Sequence, residues 1–250
     1  MKRQMPTIII VTYERLELTQ RCIESVLNNT SPPIKLVIVD NCSRNEVKNY
    51  LVKVPGVKIF LDKNLGLYKA LNYGIRMIDE ELIAFLDCDI IVTRGWIEAL
   101  THEININNNI GLVGSRYFNP DGTLQEGYPV LNENGWYGEN HIDKLESADC
   151  QYIAIGCSLF KRSAWQKVGG FDENYFISHG DIDFCFKLRY EGKLRVRYCP
   201  ESTVIHDHNS RLEKNYEKLR FNSEICNKDY SLFKQKWEKK YKLEINSFNK

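Results

Sequence analysis

What this chain lacks narrows its identity before anything it contains. Eight cysteines occur and none forms a C-x-x-C pair, so the spacing of a zinc ribbon or a dithiol redox centre is missing. Cys88, Cys185 and Cys199 stand in apolar or strand-like surroundings, where a reduced thiol serves as a small hydrophobe. No segment approaches the roughly 20 apolar residues that a membrane span needs. The opening MKRQMPTIIIVTYER holds only a short apolar run before Thr12 and Glu14, unlike a secretory signal, and the expected location is the cytoplasm. Charge of one sign is not in excess. The 34 Lys and Arg face 33 Asp and Glu, a net +1, which argues against nucleic acid as a partner. Internal repeats and low-complexity stretches are absent. At 250 residues the chain can bury a substantial core as one large domain or one domain with an appendage.

The first half alternates two hydrophobic periods. Thr7–Thr12 is a short β-branched run, the pattern of a buried strand. From Arg15 to Asn29, Leu18, Cys22, Val26 and Leu27 recur at helical spacing. Lys35–Asp40 and Val57–Leu61 read as strands, Leu67–Ile78 as a helix, and Leu82–Leu86 as a strand ending at Asp87. This rhythm predicts an α/β fold with a mostly parallel central sheet and helices on both faces. Ligands of such sheets sit beyond the carboxyl ends of the strands. Those ends carry Tyr13-Glu14, Asp40-Asn41 and Asp87-Cys88-Asp89.

The second half is less regular. Gly111–Arg116 and Ile153–Lys161 read as strands, and the stretch from Gly127 to Ser147 as a long loop, a length usually kept for function or motion. Trp136 and Tyr137 in that loop have the flat faces that stack on sugars. Ser163–Val168 and Asp181–Glu191 read as helices, and Leu194–Tyr198 and Ser202–His206 as strand pieces. After about Ser210 the chain becomes helical and basic, with 11 Lys or Arg against 6 Asp or Glu in 211–250. Tyr230, Phe233, Trp237 and Tyr241 recur at helical spacing there. Such a stripe either packs the tail onto the domain or offers an amphipathic face to a membrane surface or a partner.

Three groups of residues carry chemistry. Asp87-Cys88-Asp89 places two carboxylates directly after a buried strand, where ionised oxygens need a compensating charge. Mg²⁺ or Mn²⁺ suits them, since such ions take one or two carboxylates and complete their shell with substrate phosphates. Asp181, in Gly180-Asp181-Ile182-Asp183, stands at a helix start, where an acid is a natural cap. It is also placed to act as a general base toward an attacking hydroxyl. In Val204-Ile205-His206-Asp207-His208, strand alternation puts the two imidazoles on one face, and a neutral imidazole can complete a metal shell.

The order of these motifs resembles family 2 glycosyltransferases. It runs through Thr12-Tyr13, Val39-Asp40-Asn41-Cys42-Ser43, Asn64-Leu65-Gly66 with Asn72 and Gly74, and Asp87-Cys88-Asp89. It continues with Gly156-Cys157-Ser158-Leu159-Phe160, Val168-Gly169-Gly170-Phe171-Asp172-Glu173, Gly180-Asp181-Ile182-Asp183 and His206. The resemblance covers roughly residues 6–210. It implies an inverting GT-A enzyme with a Rossmann-like domain over 1–210, a nucleotide half (1–114) and an acceptor half (115–210), and a helical basic extension over 211–250. It implies nucleotide contacts from Thr12, Tyr13, Glu14, Asp40, Asn41, Asn64, Gly66, Lys69, Asp87 and Cys88. Asp40 would accept a hydrogen bond from the imide N–H of uracil or thymine. Asp89 and His206 would hold Mn²⁺ or Mg²⁺, and Asp181 would be the base. Asp172, Gly180, Asp183 and Trp136 are the acceptor-side candidates. Glu14 replaces a frequent Asn, and Gly180 stands where the family often has Glu, which removes one carboxylate from the acceptor side.

The expected donor is a UDP- or dTDP-sugar, and the expected acceptor a glycan, a lipid-linked saccharide or a protein. The basic tail would suit peripheral contact with the inner membrane face. Two other functions fit parts of the pattern: a non-catalytic subunit that binds sugar nucleotides, and a phosphotransferase of the haloacid-dehalogenase type, whose first Asp is a nucleophile and which Phe85–Asp89 also resembles.

Overall fold

The computed structural model describes residues 5–129, 141–207 and 214–248. Strands β1 (Thr7–Thr12), β2 (Lys35–Asp40), β3 (Val57–Phe60) and β4 (Leu82–Asp87) alternate with helices α1 (Leu16–Asn29), α2 (Asn45–Leu51) and α3 (Leu67–Arg76). Next come β5 (Ile90–Val92), α4 (Trp96–Asn105), β6 (Ile110–Phe118), β7 (Leu124–Glu126), β8 (Tyr128–Pro129), β9 (His141–Ile142) and β10 (Ala148–Asp149). Strand β11 (Cys157–Lys161), α5 (Arg162–Lys167), α6 (Gly180–Phe186) and β12 (Arg195–His206) follow, and α7 (Lys214–Arg220) and α8 (Ser223–Phe248) form the tail.

One sheet runs in the order β10-β12-β6-β11-β4-β1-β2-β3. Strands β4, β1, β2 and β3 are parallel neighbours, as a βαβ rhythm requires. Strand β11 lies antiparallel between β4 and β6, and β12 is parallel to β6. Alternation along β1 sends Ile8 and Ile10 to one face and Ile9 and Val11 to the other, all buried. Under the first face lie Cys22, Val26, Val47, Leu51, Trp96 and Leu100 from α1, α2 and α4. Under the second lie Leu71, Ile75, Trp165 and Phe184, joined by Phe233 and Trp237 of the tail.

Several boundaries differ from the sequence pattern. Helices α2 and α4 form where the spacing named none. The helix expected over Asp181–Glu191 is regular only to Phe186 and continues as one wide π-type turn, Lys187–Glu191. Leu194–Tyr198 and Ser202–His206 join in one strand, with an irregularity in its register to β6 between Tyr198 and Thr203. Two residues of the tail's apolar stripe pack onto the domain: Phe233 and Trp237 are 0% and 1% exposed. Tyr230 is half-buried, and the side chain of Tyr241 lies outside the described residues. No described helix is long and apolar enough to cross one.

Candidate active site

Beyond the carboxyl ends of β1, β2 and β4 lies a cavity of ≈ 180 Å³. Strand register explains its contents. Parallel pairing sets Thr12 beside Asp40 and Val11 beside Asp87, so the loops after the three strands open at one level. Antiparallel pairing of β12 with β5 sets His206 opposite Ile90, and the Asp207 N–H donates to the Asp89 carbonyl at 3.1 Å. That places an imidazole from the end of the domain next to a carboxylate from its middle. Helix α6 brings Asp181 to the same cavity.

Of the residues expected to serve the site, Thr12, Tyr13, Asn41, Asn64, Gly66, Asp87, Cys88, Asp89, Asp181 and His206 line this cavity. Asn41 and Asn64 shape a loop. The Asn41 amide donates to Asn64 Oδ1 at 2.9 Å and to the Gly66 carbonyl at 3.1 Å, and its oxygen accepts from the Leu65 N–H at 2.8 Å. Gly66 has φ +80, and a Cβ there would lie 2.6 Å from the Phe176 carbonyl, so no other residue fits the crossing.

Other expected residues go elsewhere. Glu14 is buried in a left-handed conformation and its carboxylate accepts from the Arg44 N–H at 2.9 Å, holding the start of α2 instead of lining the cavity. Asp40 is fully buried and accepts from the Ser43 N–H at 3.2 Å. Burial pushes its carboxyl up, with the Ser43 bonds opposing. Lys69 points off the exposed face of α3 toward Glu173, 3.7 Å away. Asp172 binds Lys236 of the tail at 3.1 Å. Asp183 is completely buried, facing Lys236 at 2.7 Å and the Trp237 indole N–H at 2.7 Å. It serves the contact between α6 and the tail. Gly180 is buried, and a Cβ there would meet the Tyr68 ring at 2.5 to 2.7 Å. Tyr68 therefore fills space that a side chain at 180 would need. Trp136 lies outside the described residues.

Electrostatics follow from crowding. Burial, then the charge of Asp89, pushes Asp87 up, while His206 and Arg15 oppose. Burial also raises Asp181 to about 6, against a bond from the Ile182 N–H to its Oδ1 at 2.9 Å. Asp89 Oδ2 meets the Arg15 guanidinium at 2.6 Å and His206 Nε2 at 3.4 Å. His206 Nδ1 lies 2.8 Å from Gln125 Oε1. An amide oxygen only accepts, so Nδ1 donates and Nε2 turns toward Asp89. Burial disfavours charge on this imidazole, Asp89 outweighs it, and the pKa is raised.

These atoms fit a divalent ion. Neighbouring ligands of an octahedral ion bound at about 2.1 Å lie about 3 Å apart, near the Asp89–His206 separation. The second nitrogen of the imidazole is tied to a carbonyl, the arrangement that orients metal-binding histidines. Among the described residues no group of three or more His, Cys, Asp or Glu could hold an ion. The pair would therefore leave most of the shell to other ligands, as Mg²⁺ and Mn²⁺ sites commonly do with phosphates.

Residues without a sequence signal complete the cavity. Arg15 stands 4.3 Å from the ring of Tyr216, and Tyr216, Leu219 and Arg220 of α7 cover one side. Tyr68, Tyr117 and Glu126 line others. None belongs to a short motif. Arg15 and Tyr68 enter from the starts of α1 and α3, and strand pairing and the return of the tail bring in the others.

The match to known proteins decides the family. The model of "Glycosyl transferase family 2" matches residues 7–169. The chain belongs to glycosyl transferase family 2. This replaces the haloacid-dehalogenase alternative. The chain is 32% identical over 153 residues, 59% of its own length, to a pre-mycofactocin glycosyltransferase of Mycobacterium tuberculosis, of which it spans 31%. It is 25% identical over 230 residues to the N-acetylglucosaminyl-diphospho-decaprenol L-rhamnosyltransferase of the same organism, covering 80% of this chain and 75% of that one. A dTDP-rhamnosyl transferase of Shigella flexneri, RfbF, is 27% identical over 178 residues, 68% of this chain and 59% of that one. Among solved structures, GalNAc-T7 with UDP, GalNAc and Mn²⁺ superposes at TM-score 0.66 and 16% identity over 83% of this chain and 44% of that one. A mannosyltransferase of Pyrobaculum calidifontis with GDP-Man and Mn²⁺ gives 0.63 and 15% over 87% and 61%. The family 2 chain has the GT-A fold of these neighbours.

Proposed function

We propose that this family 2 chain transfers a sugar, with inversion and metal assistance, from a UDP- or dTDP-linked donor to a hydroxyl of a glycan, a lipid-linked saccharide or a protein. One observation carries the reading. A single cavity gathers Asp87, Asp89 and His206 on one side and Asp181, raised to about 6, on another. The rhamnosyl transferases among the relatives, one of them named for dTDP, support a donor of the dTDP class.

The chain's own groups divide the reaction. Asn41 and Asn64 hold the loop against which the nucleotide would lie, and Arg15 and Arg220 bring positive charge to the cavity. Asp181 takes the proton of the acceptor hydroxyl as that oxygen bonds to the anomeric carbon. The bond from that carbon to the phosphate oxygen breaks on the opposite face, and the nucleoside diphosphate leaves with the electron pair. A divalent ion held by Asp89 and Nε2 of His206 would act as a Lewis acid toward the leaving diphosphate.

A thermal-shift screen of nucleotide-sugars with and without Mn²⁺ tests the donor, because a ligand of the native state raises stability by mass action. Turnover of the stabilising donor by wild type and by Asp181→Asn then tests the base. If no nucleotide-sugar raises the melting temperature, the reading fails. Binding without turnover, unchanged in Asp181→Asn, would make the chain a non-catalytic subunit.

A further inference from the structure

We propose that Asp229, on the tail helix α8, is a positioning residue for the base Asp181, an inference that rests on the transferase reading above. Asp229 is 1% exposed. Its Oδ1 accepts the Phe176 N–H at 3.0 Å, and its Oδ2 accepts the Ile177 and Ser178 N–H groups at 3.0 Å each and the Ser178 hydroxyl at 3.3 Å. Three consecutive backbone donors thus converge on one carboxylate from a helix about fifty residues downstream. Successive N–H groups arranged this way form an anion-binding concavity. Without Asp229 they would be left in a part-buried position with no acceptor in view, which folded chains avoid.

The strap so held is the segment that delivers Asp181. On its other side the Phe176 carbonyl accepts the Leu67 N–H at 2.7 Å, at the crossing that Gly66 permits. Phe176 and Ile177 line the cavity. His179 then takes a left-handed conformation, φ 65, and its carbonyl accepts the Asp183 N–H at 2.9 Å in the first turn of α6. Asp181 lies in that turn. Helix α8 is itself anchored by buried Phe233 and Trp237 and by Lys236, which reaches both Asp172 and Asp183. The tail therefore fixes the distance between the donor loop at 64–67 and the base.

The test uses the full chain as wild type, Asp229→Asn and Asp229→Glu. Hydrolysis of dTDP-rhamnose and UDP-glucose with Mn²⁺ is followed as released nucleotide, and amide hydrogen exchange is read on peptides covering 174–180. In Asp229→Asn, kcat should fall by about 30- to 100-fold, the scale of a small misplacement of a reacting group. The donor KM should change less than kcat does, since Asp229 itself does not line the cavity. Exchange at 176–178 should quicken by on the order of tenfold while the β1 and β4 peptides stay protected. Asp229→Glu, which keeps the carboxylate, should recover part of kcat, and it carries the same readouts if the Asn variant does not fold. A kcat within about threefold of wild type per folded molecule would overturn the proposal. So would unchanged exchange at 176–178. Absence of turnover in wild type with every donor that the thermal-shift screen selects would instead sink the transferase reading, and the exchange measurement would still decide whether Asp229 holds the strap.

Discussion

Two D-x-D pairs, Asp87/Asp89 and Asp181/Asp183, meet opposite fates. The first follows a strand in an extended turn, and both its carboxylates reach the cavity. The second opens a helix, where residues two apart point to different sides. Asp181 faces the cavity and Asp183 faces the tail. The same three-residue pattern thus means a shared site on a turn and a division of labour on a helix. The compensating charges differ accordingly. Asp89 is answered from within the site by Arg15 and His206, and Asp183 from outside it by Lys236 and Trp237.

The sharpest way to break this comparison is to neutralise each member. Asp181→Asn should lower kcat by about 10²- to 10⁴-fold, the usual contribution of a positioned base, with donor binding retained in calorimetry. Comparable loss in Asp183→Asn would erase the distinction.

Stability should separate the pairs next. Arg15→Met removes one partner of a buried ion pair and should cost about 3–5 kcal/mol in denaturant titration. Added Mn²⁺ should return part of that loss by supplying Asp89 with a new counter-charge. Asp183→Leu should cost about 1–3 kcal/mol by leaving the buried Trp237 N–H without its acceptor, Lys236 keeping Asp172, and Mn²⁺ should not repair it.

Asp181 should set the acid limb of the pH profile, with Asp87 and His206 of the same cavity, both also raised, titrating above it. Burial raises it from 3.8 to about 6, and a base acts ionised, so kcat should fall about tenfold per unit below about pH 6. The sign for folding is the reverse. A carboxyl with a raised folded-state pKa binds its proton more tightly folded than unfolded. Its contribution to stability is present below 3.8 and lost as pH rises through about 6. Asp181→Asn should accordingly melt above wild type at pH 8, and a lower melting point would contradict the burial argument. The smallest effect belongs to Lys69→Ala. Its surface contact with Glu173 is worth about 0–1 kcal/mol, and donor KM should not move.

Much of the fold was legible in the sequence. Strands Thr7–Thr12 and Lys35–Asp40 match their expected limits to the residue, because buried β-branched runs end sharply at polar residues. The second half was harder to read. Strand β11 enters antiparallel, β12 joins two apparent pieces, and α6 gives way to a wide turn, none of which leaves a periodic trace. The cavity shows the same split. Residues at strand ends, such as Tyr13, Asn41 and Asp89, were found by position. Glu126, Tyr216 and Arg220 come from pairing and from the tail's return, which no local spacing encodes. Lys69 and Asp183 sit in the right segments on the wrong faces, a matter of helical phase.

The contact between Gly180 and Tyr68 has an evolutionary consequence. A ring pressed against a bare α-carbon ties the two positions into one unit of inheritance. A carboxylate at 180 would press on the Tyr68 ring unless the residue at 68 shrinks as well, and shrinking 68 first would open a hole in the core. A replacement at 180 alone should therefore be costly, and the replacements at 68 and 180 should be strongly epistatic.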